Sequence, residues 1–353
     1  MSKTIYSIYD NSPKTEQIST LLGQNSSPKI QLSGLVGSSI SFLIRSLFKK
    51  SELPFLLILN DKEEAAYYLN DLEQMVGDQD VLFYPASFRR PYQIEETDNA
   101  NVLLRAEVLN RINSRKKPAI IVSYPEALFE KVILPKTLQK NIIQIKTNDS
   151  IDLNAMMQQF IDYGFERTDF VYEPGQFALR GGIFDIYSFG NEKPYRIELF
   201  GEEVDSIRLF DPATQLSERK LLQVNIIPNV TTQFEDTEKI PLIEFMNSNT
   251  ILWVKDWNVI KQRGMDQWES LNDFLTHTAN NKPIELGDAH IKHTQLDDFD
   301  TVENAEASLL SSTIIEWGFQ ANICKEVMQF NTQVQPSFNR QFQLLIANLQ
   351  ELE

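Results

Sequence analysis

The stretch "KIQLSGLVGSSISFLIRSLFKK", Lys29 to Lys50, decides the fold class. Ile30 and Leu32 alternate with period two, as in a strand. A glycine loop follows. Ile40, Leu43, Ile44, Leu47 and Phe48 then recur at one helical face. Strand, glycine loop and helix in that order open a βαβ unit. The order repeats downstream. "FLLIL", Phe55 to Leu59, is a continuous apolar run of the kind buried on both faces of a parallel sheet. Asp61 with Glu64 reads as a capping box before the stripe Ala65, Tyr68, Leu69, Leu72, Met75, and Gly77 ends that helix. A helix from about Asn101 to Ile112 precedes a further buried strand, "AIIVS", Ala119 to Ser123. The expectation is α/β: a parallel sheet with flanking helices over 1–140.

The loop has the outline of a phosphate-binding loop, G-x-x-x-x-G-K-[ST]. Aligned on Gly34, and with Gly37 inside the loop, Ser39 replaces the second glycine, Ile40 the lysine, and Ser41 keeps the hydroxyl. Isoleucine cannot hold a phosphate as a point charge, and Ile40 starts the buried helix stripe. A Cβ at Ser39 also crowds the approach of phosphate to backbone amides. The loop is expected to be non-functional.

Between 141 and 226 the pattern changes to α+β. A helix from Leu153 to Tyr163 leads into short strands punctuated by Pro174-Gly175, Gly190-Asn191 and Gly201-Glu202. In "YRIELF", Ile197 and Leu199 face one way, and Arg196, Glu198 and Phe200 the other. Leu179 opposes Arg180 in the same sense, and Gly181-Gly182 reads as a bulge. From 227 to 353 α/β patterning returns, with a strand in "TILWVKD" (Thr250 to Asp256), a helix from Trp257 to Leu275, an acidic, linker-like stretch in "DFDTVENAEASLL" whose tail can also be read as helix, and an amphipathic end bearing Phe342, Leu345 and Leu349.

The 353 residues carry a formal net charge of −16. Free DNA binding draws on cationic patches, and the basic clusters here are short: Lys49-Lys50, Arg89-Arg90, Arg115-Lys116-Lys117. Autonomous DNA binding is not expected; a basic partner surface is. One cysteine, Cys324, excludes an intrachain disulfide and reads as a small core residue in a helix. No apolar run is long enough to span a bilayer, and no signal peptide is evident, so no membrane partner and a cytoplasmic location are expected. Asp288, His290 and His293 lie close together without a fourth ligand, so no metal site is assigned, and His277 stands apart from them. Trp253, Trp257, Trp268 and Trp317 read as core. No nucleophile–base pair points to a catalytic residue.

The segment "PGQFALRGGIFDIYSFGNEKPYRIELFGEEVDSIRLFDPATQLS", Pro174 to Ser217, closely resembles the interaction domain of the UvrB and transcription-repair coupling factor family. "LFYPASFRRPYQ", "NVLLRAEVLNRI" and "PSFNRQFQLLIANLQEL" resemble the coupling-factor branch, the N-terminal UvrB-like module of Mfd. The resemblance implies two vestigial motor-like α/β subdomains, 1–140 (like UvrB domain 1a) and 227–353 (like domain 1b), with the UvrA-binding domain 141–226 inserted between them. It places the UvrA contact on Arg180, Arg196 and Phe200 with Glu198 beside them, and puts Ala178 where UvrB has a further arginine. It implies no cofactor in this segment. ATP and magnesium would belong to the motor of a longer parent, an ATP-driven DNA translocase that binds RNA polymerase and double-stranded DNA through other domains. A further reading, left open by the sequence, is autoinhibition, in which the module contacts the parent's C-terminal region and this face is masked. The competing reading is an ATP-dependent helicase of UvrB type. Arg196→Glu is expected to abolish UvrA binding with thermal stability near wild type. Calorimetry separates the two readings: with ATP and magnesium we expect no binding tighter than about millimolar, and a micromolar isotherm contradicts this.

Overall fold

The computed structural model describes residues 2–24, 27–88, 99–114, 117–191, 193–229, 237–280, 295–319, 321, 323–334 and 336–352. The fold is α/β with an inserted antiparallel sheet.

The apolar runs form a seven-stranded parallel sheet. Across it lie Glu326–Gln329, Lys29–Ser33, Thr313–Trp317, Ile251–Lys255, Phe55–Ile58, Ile120–Ser123 and Val81–Phe83. The strands read in 1–140 and 227–353 therefore interleave. Ile251–Lys255 and Thr313–Trp317 sit between Lys29–Ser33 and Phe55–Ile58. The two α/β segments share one hydrogen-bonded sheet and one core. Phe55, Leu56, Leu57, Ile58, Trp253, Ile314 and Ile315 are all fully buried within it, the burial expected of strands covered on both faces.

Local rules explain the helices. Asp61 accepts from the Glu64 N–H at 2.8 Å and starts Lys62–Val76. Glu64 reaches back to Asn60 N–H, one residue further than a capping box requires. Two helices not expected from the pattern, Ser2–Asp10 and Pro13–Leu22, pack on Ser39–Ser51. Their anchor is polar: Asp10 accepts both bonds from Arg45 Nη1 (2.6 and 2.8 Å) and one from Ser46 Oγ. The acidic stretch is no linker at its start, and its tail takes the helical alternative. Asp298, Phe299 and Asp300 are buried, and Val302–Ser311 is a helix capped by Thr301. Local charge misled the reading there, because tertiary hydrogen bonds satisfy the carboxylates: Asp298 pairs with Lys239 and accepts from Gln295 N–H. Cys324 is buried, as expected, but in the loop before an edge strand, not in a helix. Burial pushes its thiol up to about 12. The helix Phe342–Leu352 exposes Phe342, Leu344, Ile346 and Leu349.

The inserted sheet has six strands in the order Ser217–Leu221, Glu203–Phe210, Tyr195–Phe200, Ile183–Ile186, Gln176–Arg180, Glu166–Arg167. All pairs are antiparallel except the last. One face packs on the helix Leu153–Asp162, where Phe160 meets Phe165, Phe177 and Phe184 at ring centroids of 5.4 to 6.0 Å. The strand Gln223–Ile226 pairs with Ile143–Lys146 and returns the chain to the larger sheet.

One buried ion pair ties loops of the large sheet together. Arg105 and Glu130, both nearly inaccessible, approach to 3.1 Å. Arg105 also donates to Pro85 O and stacks on Tyr84, and Glu130 accepts from Ser87 N–H. Removing one partner strands a buried charge. Glu130→Ala should lower stability by about 3–5 kcal/mol, read as a shift of the denaturant midpoint; a shift below about 1 kcal/mol would show the pair is not structural.

Candidate partner-binding face

The face of the inserted sheet away from Phe160 is polar, because strand parity places Ala178, Arg180, Asp185, Arg196, Glu198, Ser206 and Arg208 there. Gly181-Gly182 is a two-residue hairpin turn and not a bulge, since Arg180 pairs with Ile183 directly and Gly181 has φ +60°. The bulge lies one hairpin later. Glu198 pairs with Ser206 but Leu199 with Val204, leaving Asp205 as the extra residue. Past it, Phe200 is the last paired residue before the Gly201-Glu202 turn, and it is 84% exposed.

The register brings Asp185 opposite Arg196, with Arg180 across the neighbouring hairpin. Asp185 is fully buried. Its Oδ1 accepts from Arg196 Nε at 2.7 Å, and its Oδ2 from Arg196 Nη2 at 2.9 Å and Arg180 Nη2 at 2.5 Å. One carboxylate thus holds two guanidiniums, one of them bidentately. Each arginine also lies over a ring at 4.4 Å: Arg196 over Phe210, Arg180 over Phe170. Arg196 donates further to Gln215 O, and Gln215 Nε2 donates to Val171 O and Pro212 O, locking the Asp211–Gln215 loop against the sheet. The Asp185 hydrogen bonds raise the Arg196 guanidinium above its ordinary pKa. Glu198 points into the same face but pairs with Ser206 Oγ (2.6 Å) and Arg208 (3.0 Å).

The structure therefore brings Arg180 and Arg196 together, sets Glu198 beside them in a separate pair, and places Phe200 at the rim. Ala178 is buried in a small apolar group with Val171, Tyr187 and Phe210. Asp185, Gln215 and Phe170 were missed by sequence reasoning. A signal existed for the first: an acid within "IFDIY", among apolar neighbours and facing an arginine-bearing strand, needs a cation when buried. Exposure divides the arginines. The Arg180 side chain is 31% exposed, Arg196 only 13%.

The glycine loop lies apart, on the parallel sheet. Gly34 has φ +75°, and a Cβ there would meet Phe330 O at 1.9 Å. The segment Phe330–Thr332 crosses the loop closely: Phe330 N–H donates to Ser33 O, Thr332 N–H to Gly34 O, and Val36 N–H to Thr332 Oγ1. Gly37 turns the chain at φ +55°. Ser39 Oγ donates to Val36 O, Ile40 is buried, and Ser41 Oγ donates to Asp71 at 3.2 Å. No group of three or more potential metal ligands occurs among the described residues; Asp288, His290 and His293 lie outside them. Among the described residues no helix is long and apolar enough to cross a membrane.

This geometry changes one expectation. Arg196 is a structural counter-ion as much as a surface group. Arg196→Glu sets a second carboxylate against buried Asp185 and should cost about 3–5 kcal/mol, so its thermal midpoint should fall clearly. Phe200→Ala should stay within about 0.5 kcal/mol of wild type. Equal midpoints for the two variants would contradict the geometry.

Residues 143–231, which span this sheet, match the family model of the UvrB interaction domain. The chain is 31% identical over 233 residues to the transcription-repair-coupling factor of Bacillus subtilis, which covers 66% of this chain and 20% of that protein. Against the Borreliella burgdorferi factor it is 28% identical over 235 residues (63% and 20%), and against that of Escherichia coli 25% over 197 residues (56% and 17%). The chain thus spans about a fifth of the length of the curated relatives it matches. Residues 143–231 are thus similar to UvrB interaction domains, in a chain that is similar, over about two thirds of its length, to bacterial transcription-repair-coupling factors.

Proposed function

We propose that this chain is the UvrA-recruiting module of a transcription-repair coupling factor, acting in transcription-coupled nucleotide-excision repair. The observation that carries the reading is the open face of the inserted sheet, with Arg180 and Arg196 fixed on a buried carboxylate and Phe200 presented beside them. Arginine and aromatic side chains on a rigid scaffold are the usual anchors of protein contacts. A clamped guanidinium loses little further freedom on binding. Within this proposal the module hydrolyses no ATP, since Ile40 stands in the core where a phosphate-binding lysine would be needed. ATP turnover, DNA translocation and displacement of stalled RNA polymerase belong to other parts of such a factor. The −16 charge fits a module held near DNA by its partners and not by its own affinity.

A pull-down with purified UvrA tests the reading. The wild-type chain should retain UvrA. Arg180→Ala combined with Phe200→Ala should abolish retention while the thermal midpoint falls less than that of Arg196→Glu, because Arg196 still pairs with both oxygens of Asp185. Retention by that double variant would place the contact elsewhere.

A further inference from the structure

We infer that Asp185 and Phe170 are positioning residues of the partner face: they hold the Arg180 guanidinium so that its outward edge meets a partner carboxylate already oriented. The inference rests on the proposed UvrA contact and deepens it.

The two arginines do different work. A guanidinium has five N–H donors. Arg196 commits its Nε and both terminal nitrogens to Asp185 and Gln215, and little of it reaches solvent. Arg180 makes two bonds, to Asp185 Oδ2 at 2.5 Å and to Asp169 O at 3.3 Å. Among the described residues its Nε–H and one N–H on each terminal nitrogen make no hydrogen bond, and the side chain is the more exposed of the pair. Two guanidiniums on one carboxylate leave a surplus positive charge at Arg180, so the complementary group is an anion. The planar fork of donors suits a carboxylate held bidentately.

Such a contact needs the fork held in one plane. Asp185 fixes it from beneath, from a site with no solvent to relax it. Phe170, 47% exposed, fixes it from the side by stacking, and its own ring lies 6.5 Å from Tyr172. Neither residue needs to touch the partner's carboxylate for its loss to weaken the complex. Phe170 acts through Arg180, and Asp185 through Arg180 and Arg196.

A double-mutant cycle reads this directly. Affinity for UvrA is measured by interferometry for the whole 353-residue chain carrying Asp185→Asn, Phe170→Leu or Arg180→Ala, and for each of the first two combined with Arg180→Ala. In the wild-type background Asp185→Asn should weaken binding about tenfold, the size of one oriented charged contact. Phe170→Leu should weaken it about threefold, the size of a half-exposed cation–π pair. In the Arg180→Ala background Phe170→Leu should weaken it no further, and Asp185→Asn should weaken it by clearly less than tenfold, through Arg196 alone. Losses of the same size in both backgrounds would assign the two residues a general structural role and overturn the inference. Phe170 is half-exposed, so its cycle decides by the same criterion even where Asp185→Asn lowers the folded fraction. A wild-type chain that does not bind UvrA overturns the functional proposal and this inference together; binding with additive losses overturns this inference alone.

Discussion

A carboxylate shut away from water has to be neutralised, and Asp185 meets that demand with two arginines from two hairpins. Much of the inserted sheet follows from this one constraint. It fixes the register of Tyr195–Phe200 on Ile183–Ile186, because a one-residue slip would turn Arg196 into the Phe160 core and leave the acid with Arg180 alone. It draws the Asp211–Gln215 loop inward through Gln215. It also sorts the arginines, burying one as a counter-ion and leaving the other to the surface. A face built this way is stiff before any partner arrives.

The larger sheet supplies the frame. Strands from both ends of the chain interleave in it, so the inserted sheet is held at both of its termini by one core. The strand, glycine and helix order of a nucleotide-binding fold persists at Gly34–Ser41. The polar groups there have been turned to internal use: Thr332 occupies the Val36 N–H and the Gly34 carbonyl, and Ser41 is bonded to Asp71. The shape of the loop serves the packing of Phe330 against the first strand.

Much of this was legible in the residues. Continuous apolar runs announced the parallel strands, and alternation in "YRIELF" placed Arg196, Glu198 and Phe200 on one face. What was not legible was non-local. The helices at 2–22 depend on the Arg45–Asp10 pair, thirty-five positions apart, and their own apolar stripe is short. The acidic stretch near Asp298 looked solvated because its cations, Lys239 among them, come from distant segments. Gly181-Gly182 reads as a bulge along the strand, and the Arg180–Ile183 pairing that makes it a hairpin turn is a cross-strand contact. The burial of Arg196, and with it the cost of reversing its charge, depends on Phe210 and Gln215 closing over it, which no single-strand pattern contains.

Hydrogen exchange of the chain with and without UvrA reports where the partner sits without altering a residue. Added protection is expected in Gln176–Arg180 and Tyr195–Phe200 and in the adjoining Phe170–Tyr172 and Asp211–Leu216 segments, with the seven-stranded sheet unchanged. Protection confined to the parallel sheet or to the Gly34–Ser41 loop, with the inserted sheet unaffected, would contradict the proposed UvrA contact.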